Sequence, residues 1–532
     1  MELLARKRTT PLGLRGLTWG VAIIAALPLI YILVRAFQSG PQPFADAVFR
    51  VRSLKLLWNT VALICGALAI SVSVALAAAW LVARTELWGR QLWALLLALP
   101  IVFPSYVAAF ALVAIFGPRG FVSDALSALG LGSFPDWIYG YPGALIALSC
   151  FTYPYIYLML IPAVHSIDPA VEESARLLGM SRRSVFLSIV LPQLKAPIYA
   201  GGLLVTLYVI SDFGAVSLLR FDTLTMSVFH AYRSLFDRTV AASLATLLIA
   251  LAIVVILVSS YLQRSLRPTR VGVSRPLVRQ PLGRAQVPIQ LALTCFASLT
   301  VVGPFAVLLG WAVRALRVGN ELGQVGAPLL RSLAVSLAAA LVATLFALPV
   351  ALRSTRYPGV ASRWIERLCY AGYALPGLVI ALAFVFFATR QLPWLYQTST
   401  LLVLAYVVRF LPQPLAAVRA ALEDVAPPFE ESARSLGLSP WQSWRRVTLP
   451  LIAPGIAAGA GLVFLTTMKE LPATLILRPT GFDTLATRIW AAADEGIFSE
   501  AALPAISLLA ASALPVWWLT IRPALAERKE RS

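Results

Sequence analysis

Four ionisable residues lie inside stretches that are otherwise apolar: Asp212, Arg409, Lys469 and Glu470. Charge is costly in hydrocarbon. Where it persists it faces a bundle interior or a water-filled path, and it marks function by default. Asp212 and Glu470 are 258 residues apart, an interval that recurs elsewhere in the chain, so they hold equivalent places in two related halves. Carboxylate oxygens are hard ligands suited to a hard cation, which makes these residues candidates for a translocation path. A structural ion pair or a gate contact between halves fits the same residues, since buried charges usually pair. Lys469 neighbours Glu470, whereas its counterpart is Ser211. Arg409 aligns with Phe151 and breaks the symmetry; the sequence leaves open which carboxylate it meets. Each carboxylate is expected about sixteen residues into its span, roughly 24 Å from the cytoplasmic end at 1.5 Å per residue.

Other reactive types are sparse. His165 ends one apolar stretch and His230 lies in a loop; Cys65, Cys150, Cys295 and Cys369 all fall within apolar stretches without CxxC or Cys–His spacing. They read as small buried residues, with no metal site indicated. With no clustered nucleophile and base, an enzyme is not expected. No cofactor is implied.

The elements that carry these charges are membrane spans. The chain is 59% hydrophobic and 13% charged, with a mean hydropathy of +0.81, against about 25% charged for soluble domains. Many apolar runs reach the roughly 20 residues a spanning helix needs. Residues 61–82 do not alternate as barrel strands would. The expected fold is an all-α polytopic membrane protein, since only helices or closed barrels satisfy their backbone groups in lipid. Twelve spans are expected, near 16–37, 56–82, 91–116, 142–165, 197–219, 239–262, 289–315, 328–352, 364–388, 399–421, 453–477 and 501–521. The net charge of +20 sits in short loops, as the positive-inside rule expects, and not on one basic face suited to nucleic acid. Arg6, Lys7, Arg8 and Arg15 precede a long first span, which reads as an uncleaved anchor with its N-terminus inside.

Residues 264–287 carry Arg264, Arg267, Arg270, Arg275, Arg279 and Arg284 with three prolines, an extended cytoplasmic linker. It separates two six-span repeats, 1–263 and 288–532. Arg353, Arg356 and Arg363, and the tail residues Arg528, Lys529 and Arg531, fall on the same side, so both termini are expected in the cytoplasm. Six spans return the chain to its starting side. The repeats are therefore parallel and can surround one axis along the membrane normal. Further echoes support duplication: Leu99-Pro100 with Leu375-Pro376, Pro154 with Pro412, and FDTL at 221–224 and 482–485. About 18 extra residues are assigned to the 117–141 loop.

One polar segment occurs twice, EESARLLG at 172–179 and EESARSLG at 430–437. Asp168-Pro169 and Pro427-Pro428 start a short helix. Gly179 and Gly437 end it, where φ > 0 is cheapest. Ser181 and Ser439 can cap a second short helix, closed by Leu191-Pro192 and Leu449-Pro450. The acidic pairs do not suit helices resting on lipid.

These segments, 168–192 and 427–450, resemble the EAA loop of bacterial ATP-binding-cassette (ABC) importer permeases. That pattern reads E-A-A, three residues, G, nine residues, I-x-L-P. Glu173, Ser174, Ala175, Gly179, Ile189, Leu191 and Pro192 match it, as do Glu431, Ser432, Ala433, Gly437, Val447, Leu449 and Pro450. Ser replaces the first Ala in both copies, and Val replaces Ile in the second. The resemblance implies that each loop docks an ATPase subunit made as a separate chain. The sequence has no GxxxxGK[ST] phosphate cradle of its own. It implies a permease in the bacterial inner membrane, two ATPase subunits in the cytoplasm, and a periplasmic binding protein that delivers cargo. Double-length permeases of this kind are most familiar for iron(III) and for thiamine. Residues 468–490 and 211–224 are most similar to the iron(III) type. The alternatives are a thiamine permease, with Tyr208, Phe213 and Phe464 as stacking rings, and an ion-coupled secondary transporter.

Overall fold

The computed structural model describes residues 10–38, 40–118, 120–130, 136–233, 238–264, 279–317, 323–425 and 427–516. The charges of the N-terminal segment up to Arg8, most of the linker, the C-terminal tail and the end of the last expected span lie outside these residues. Among the described residues the chain is helical throughout, apart from one isolated bridge between Thr85 and Gln280. Among the described residues, nine helices are long and apolar enough to cross a membrane, or eleven if two bent pairs each count as one span. A shorter apolar helix, Phe498–Val516, stands where the twelfth span is expected. Every expected span thus has a helical counterpart, but several are broken.

The breaks have local causes. The third span of each half is interrupted at a proline: Phe103 and Pro104 are extended before the helix Ser105–Phe116, and Leu375 and Pro376 before Gly377–Gln391. A residue before proline avoids the helical region, so an X-Pro pair ends a helix. In the second half the two pieces meet at 105°. Pro104 thus pairs with Pro376, 272 residues on, whereas the sequence echo had aligned Pro100 with it. The first half therefore carries 14 extra residues before the 258 interval resumes, not 18. The fifth and eleventh spans stop early, at Ser211 and Met468, and short helices Gly214–Leu218 and Pro472–Leu477 follow. Asp212, Lys469 and Glu470 thus sit at the breaks, not within continuous helices.

The intervals 258 and 272 organise the packing. Gly201 and Gly459 admit a neighbouring backbone: a Cβ would lie 2.7 Å from Ile156 Cα in one half and 2.7 Å from Pro414 Cα in the other. Small residues let membrane helices approach this closely. The FDTL echo also has a function in the fold. The amide of Leu224 donates to the Thr60 hydroxyl at 3.0 Å, and that of Leu485 to the Ser332 hydroxyl at 2.8 Å. A hydroxyl on each second span therefore fixes the helix that follows the motif.

The first span of each half packs on the other half. Val21, Ala22 and Ala25 of Leu12–Phe37 share a buried cluster with Ala347, Ile365 and Leu411, and Tyr31 donates to the Phe386 carbonyl at 3.0 Å. Reciprocally, Phe296 and Phe305 meet Tyr153 and Phe103 with centroids 5.4 and 5.5 Å apart. The two repeats are interlocked.

Candidate functional site

Both repeated loops fold alike. Helix Pro169–Leu177 starts at Asp168, whose side chain accepts the Ala170 amide at 3.0 Å. It ends at Gly179 with φ 85°, and its counterpart Pro427–Ser435 ends at Gly437 with φ 88°. The amides of Met180 and Leu438 reach back to the carbonyls of Ala175 and Ala433, 3.2 Å in each copy. Those of Gly179 and Gly437 reach Arg176 and Arg434 at 3.0 Å. This is the paired bonding of a glycine-terminated helix. Ser181 accepts the Ser184 amide, and Ser439 forms a full capping box with Gln442.

The second short helix is not closed at Leu191-Pro192 or Leu449-Pro450. It passes through a π turn, Phe186–Val190 or Trp444–Thr448, into the span. The result is one helix of 30 residues, Arg182–Ser211, or 29, Pro440–Met468. The wider π register accommodates a proline that lacks an amide donor. The break after Ser211 lies about 31 Å along the helix from Leu191.

The loop residues divide by exposure. Glu173, Ser174, Gly179, Glu431, Ser432 and Gly437 are exposed, beside Leu177, Leu178 and Leu436 at 84–89% exposure. Ala175 and Ala433 are buried and seat the helix. Ile189, Leu191, Val447 and Leu449 are half-buried, while Pro192 and Pro450 are exposed. Each loop thus presents an apolar and charged knob, with Arg176 and Arg434 exposed beside the glutamates.

A feature absent from the sequence reading fixes each knob. Arg84, at the end of the second span, meets Glu172 at 3.0 Å and donates to the Ile167 carbonyl at 3.3 Å. Arg356 meets Glu430 at 3.1 Å and donates to the Val425 carbonyl at 2.9 Å. The arginines are 272 residues apart, and the glutamates and the carbonyls 258, so the same ion pair and the same carbonyl contact occur in both halves. All four side chains are largely buried. Of these two arginines the sequence reading weighs only Arg356, as part of the charge bias.

The intramembrane charges also find definite partners. The Asp212 carboxylate accepts the amides of Ala215 and Val216 at 3.0 and 3.4 Å, capping Gly214–Leu218, with the Ser105 hydroxyl beside it. Glu470 accepts the Ala473 amide at 3.2 Å and pairs with Arg409 at 2.7 Å. The equivalent of Ser105 is Gly377, where a Cβ would lie 1.5 Å from an Arg409 guanidinium nitrogen. Glycine there makes room for the ion pair. Lys469 donates to the Ile101 carbonyl at 3.2 Å, a contact from the second half to the broken third span of the first. Asp212 and Glu470 are both about 6% exposed. The structure therefore brings Arg409 to Glu470 and not to Asp212, and assigns each carboxylate to a helix break.

Broken helices of both halves converge here, and each half carries a polar knob between its fourth and fifth spans: this is the architecture of a transport protein. The sequence profile described as "Binding-protein-dependent transport system inner membrane component" matches residues 56–269 and 337–521. The chain belongs to that family. Each matched segment omits the first span of its half, the span that crosses to the other repeat. The chain is 29% identical over 517 residues to the Fe(3+)-transport system permease protein FbpB 2 of Haemophilus influenzae, covering 96% of this chain and 98% of that one. It is 28% identical over 247 residues to the sulfate transport system permease protein CysW of Escherichia coli, covering 46% of this chain and 84% of that one. A chain in the crystal structure of a bacterial alginate ABC transporter with its alginate-bound periplasmic protein matches at 19% identity and a TM-score of 0.40, over 46% of this chain and 90% of that one. That last likeness is too slight to bear on the fold.

Proposed function

We propose that this chain forms the membrane passage of an ATP-driven importer for ferric iron. In this reading the loops 168–192 and 427–450 face the cytoplasm, and each docks one ATPase subunit made as a separate chain. Both termini and the linker 264–287 lie on that side, between repeats 1–263 and 288–532. A periplasmic binding protein delivers cargo to the opposite face. The observation that carries this reading is the duplicated knob, with the same glycine turn, the same serine cap on the following helix and the same buried strut in both halves. A transporter driven by an ion gradient has no use for two matched docking surfaces. Iron is favoured because the relative matched along nearly the whole chain carries Fe(3+) in its name, whereas the sulfate relative matches about half. Thiamine would need accessible rings. Phe213 is 1% exposed and packed between Phe229 and Trp490, with centroids 4.6 and 5.7 Å away.

The test is uptake into liposomes containing the permease with its ATPase, supplied with ATP inside and a loaded binding protein outside. Ferric iron should accumulate, while thiamine and sulfate should not. Accumulation of either of the others without iron would replace the cargo assignment.

A further inference from the structure

Beside the first knob, and sharing residues of its loop, lies a cleft of about 810 Å³. Its wall is apolar, built from Leu76, Trp80 and Phe186 with Ile289 of the second half. Its mouth is basic, formed by Arg182 and Arg183, both exposed, together with Arg176. The single acidic residue lining it, Glu172, is already paired with Arg84. Trp80 is held in place, edge-on to Phe186 at 5.3 Å with the Arg84 guanidinium 5.5 Å from its ring. Ser73, at the other end of the cleft, is eleven residues from Arg84 along one helix, about 16 Å into the membrane. The cleft therefore runs from a cationic rim at the end of the spans into an apolar slot between helices.

We propose that this cleft binds one anionic phospholipid, with its phosphate at Arg182 and Arg183 and an acyl chain along Leu76, Trp80, Phe186 and Ile289. Arginine forks match phosphate oxygens. Basic pockets between spans on the cytoplasmic side recognise lipid headgroups, and that placement rests on the orientation proposed above. The site is single. In the second copy Pro440 and Trp441 replace Arg182 and Arg183, and that loop's arginine pair, Arg445 and Arg446, is displaced by five residues. The wall is also asymmetric, because the Gln280 backbone pairs with Arg84 and Glu86 there, at 2.9 and 3.0 Å, and brings the second half's first span alongside.

Native mass spectrometry of the full-length permease, titrated with dioleoylphosphatidylglycerol or dioleoylphosphatidylcholine, tests this. One phosphatidylglycerol per chain should be retained in preference to phosphatidylcholine. Arg182→Gln with Arg183→Gln should weaken that retention roughly thirtyfold, and Arg445→Gln with Arg446→Gln should leave it unchanged. Ala77→Phe, which fills the slot without touching a charge, should also reduce it. Equal retention of the two lipids, undiminished retention in the arginine variant, or full displacement by inorganic phosphate would overturn the proposal. Arginine variants that keep the lipid but lose ATPase binding would instead assign these residues to the docking surface. Lipid counting involves neither cargo nor ATPase, so its outcome is separable from that of the transport reading.

Discussion

Arg84 and Arg356 are where residue chemistry bears most directly on coupling. Each joins the end of a second span to the first helix of a repeated loop and to the backbone just before it. Removing one partner of a buried ion pair leaves the other charge uncompensated, at a cost of about 3–5 kcal/mol. Arg84→Met should therefore leave the permease inserted but loosen its first knob, so that each ATP hydrolysed moves less cargo. The double exchange Arg84→Glu with Glu172→Arg should recover part of that ratio. The measurement is cargo transported per ATP, and an unchanged ratio in Arg84→Met would remove the strut from the mechanism. The intramembrane carboxylates call for a different comparison. Glu470→Gln strands Arg409, whereas Asp212→Asn keeps an oxygen to cap its short helix. Glu470→Gln should thus reduce uptake by an order of magnitude more, at equal insertion. Iron uptake that survives both changes together would end any role for these residues in the path. It would leave the family assignment intact.

At the level of elements, what was legible follows from what repeats. The knobs could be read because their polar residues recur at one interval within apolar surroundings. The glycines at 179 and 437 adopt the positive φ that their position demands. The struts could not be read, because their arginines recur at 272 and their glutamates at 258, and no single interval joins them. The broken spans were hidden for another reason. Apolar residues run on across Pro104, Pro376 and Ser211, so hydropathy merges two helices into one; at the first two, only local proline chemistry separates them. The crossed first spans left no sequence signal, since packing between apolar helices is not written in periodicity. They carry a consequence. If the linker is cut and residues 1–263 and 288–532 are co-expressed, they should reassociate and restore transport, because the crossed spans do the joining. Either half alone should be degraded, since its first span lacks the surface it packs on. Steady-state levels by immunoblot measure this. A stable solitary half would show that the crossing is not needed for folding.

For the whole molecule, one picture accounts for these features. Two parallel repeats interlock through their first spans and meet at broken helices in the membrane. Each carries a knob between its fourth and fifth spans, braced by its own strut. Movement of an ATPase at a knob would pass through the strut to the second span. It would also pass along the continuous 29- or 30-residue helix to the break where Asp212 or Glu470 sits. The central claim is that both knobs engage ATPase subunits, one each. Single cysteines at Ser174 and at Ser432, in separate proteins, should each cross-link to the ATPase in the assembled complex, whose mass should correspond to two ATPase chains per permease. Cross-linking at both positions with that stoichiometry is the predicted result. A fully active complex in which only one position cross-links, or neither does, would contradict the account.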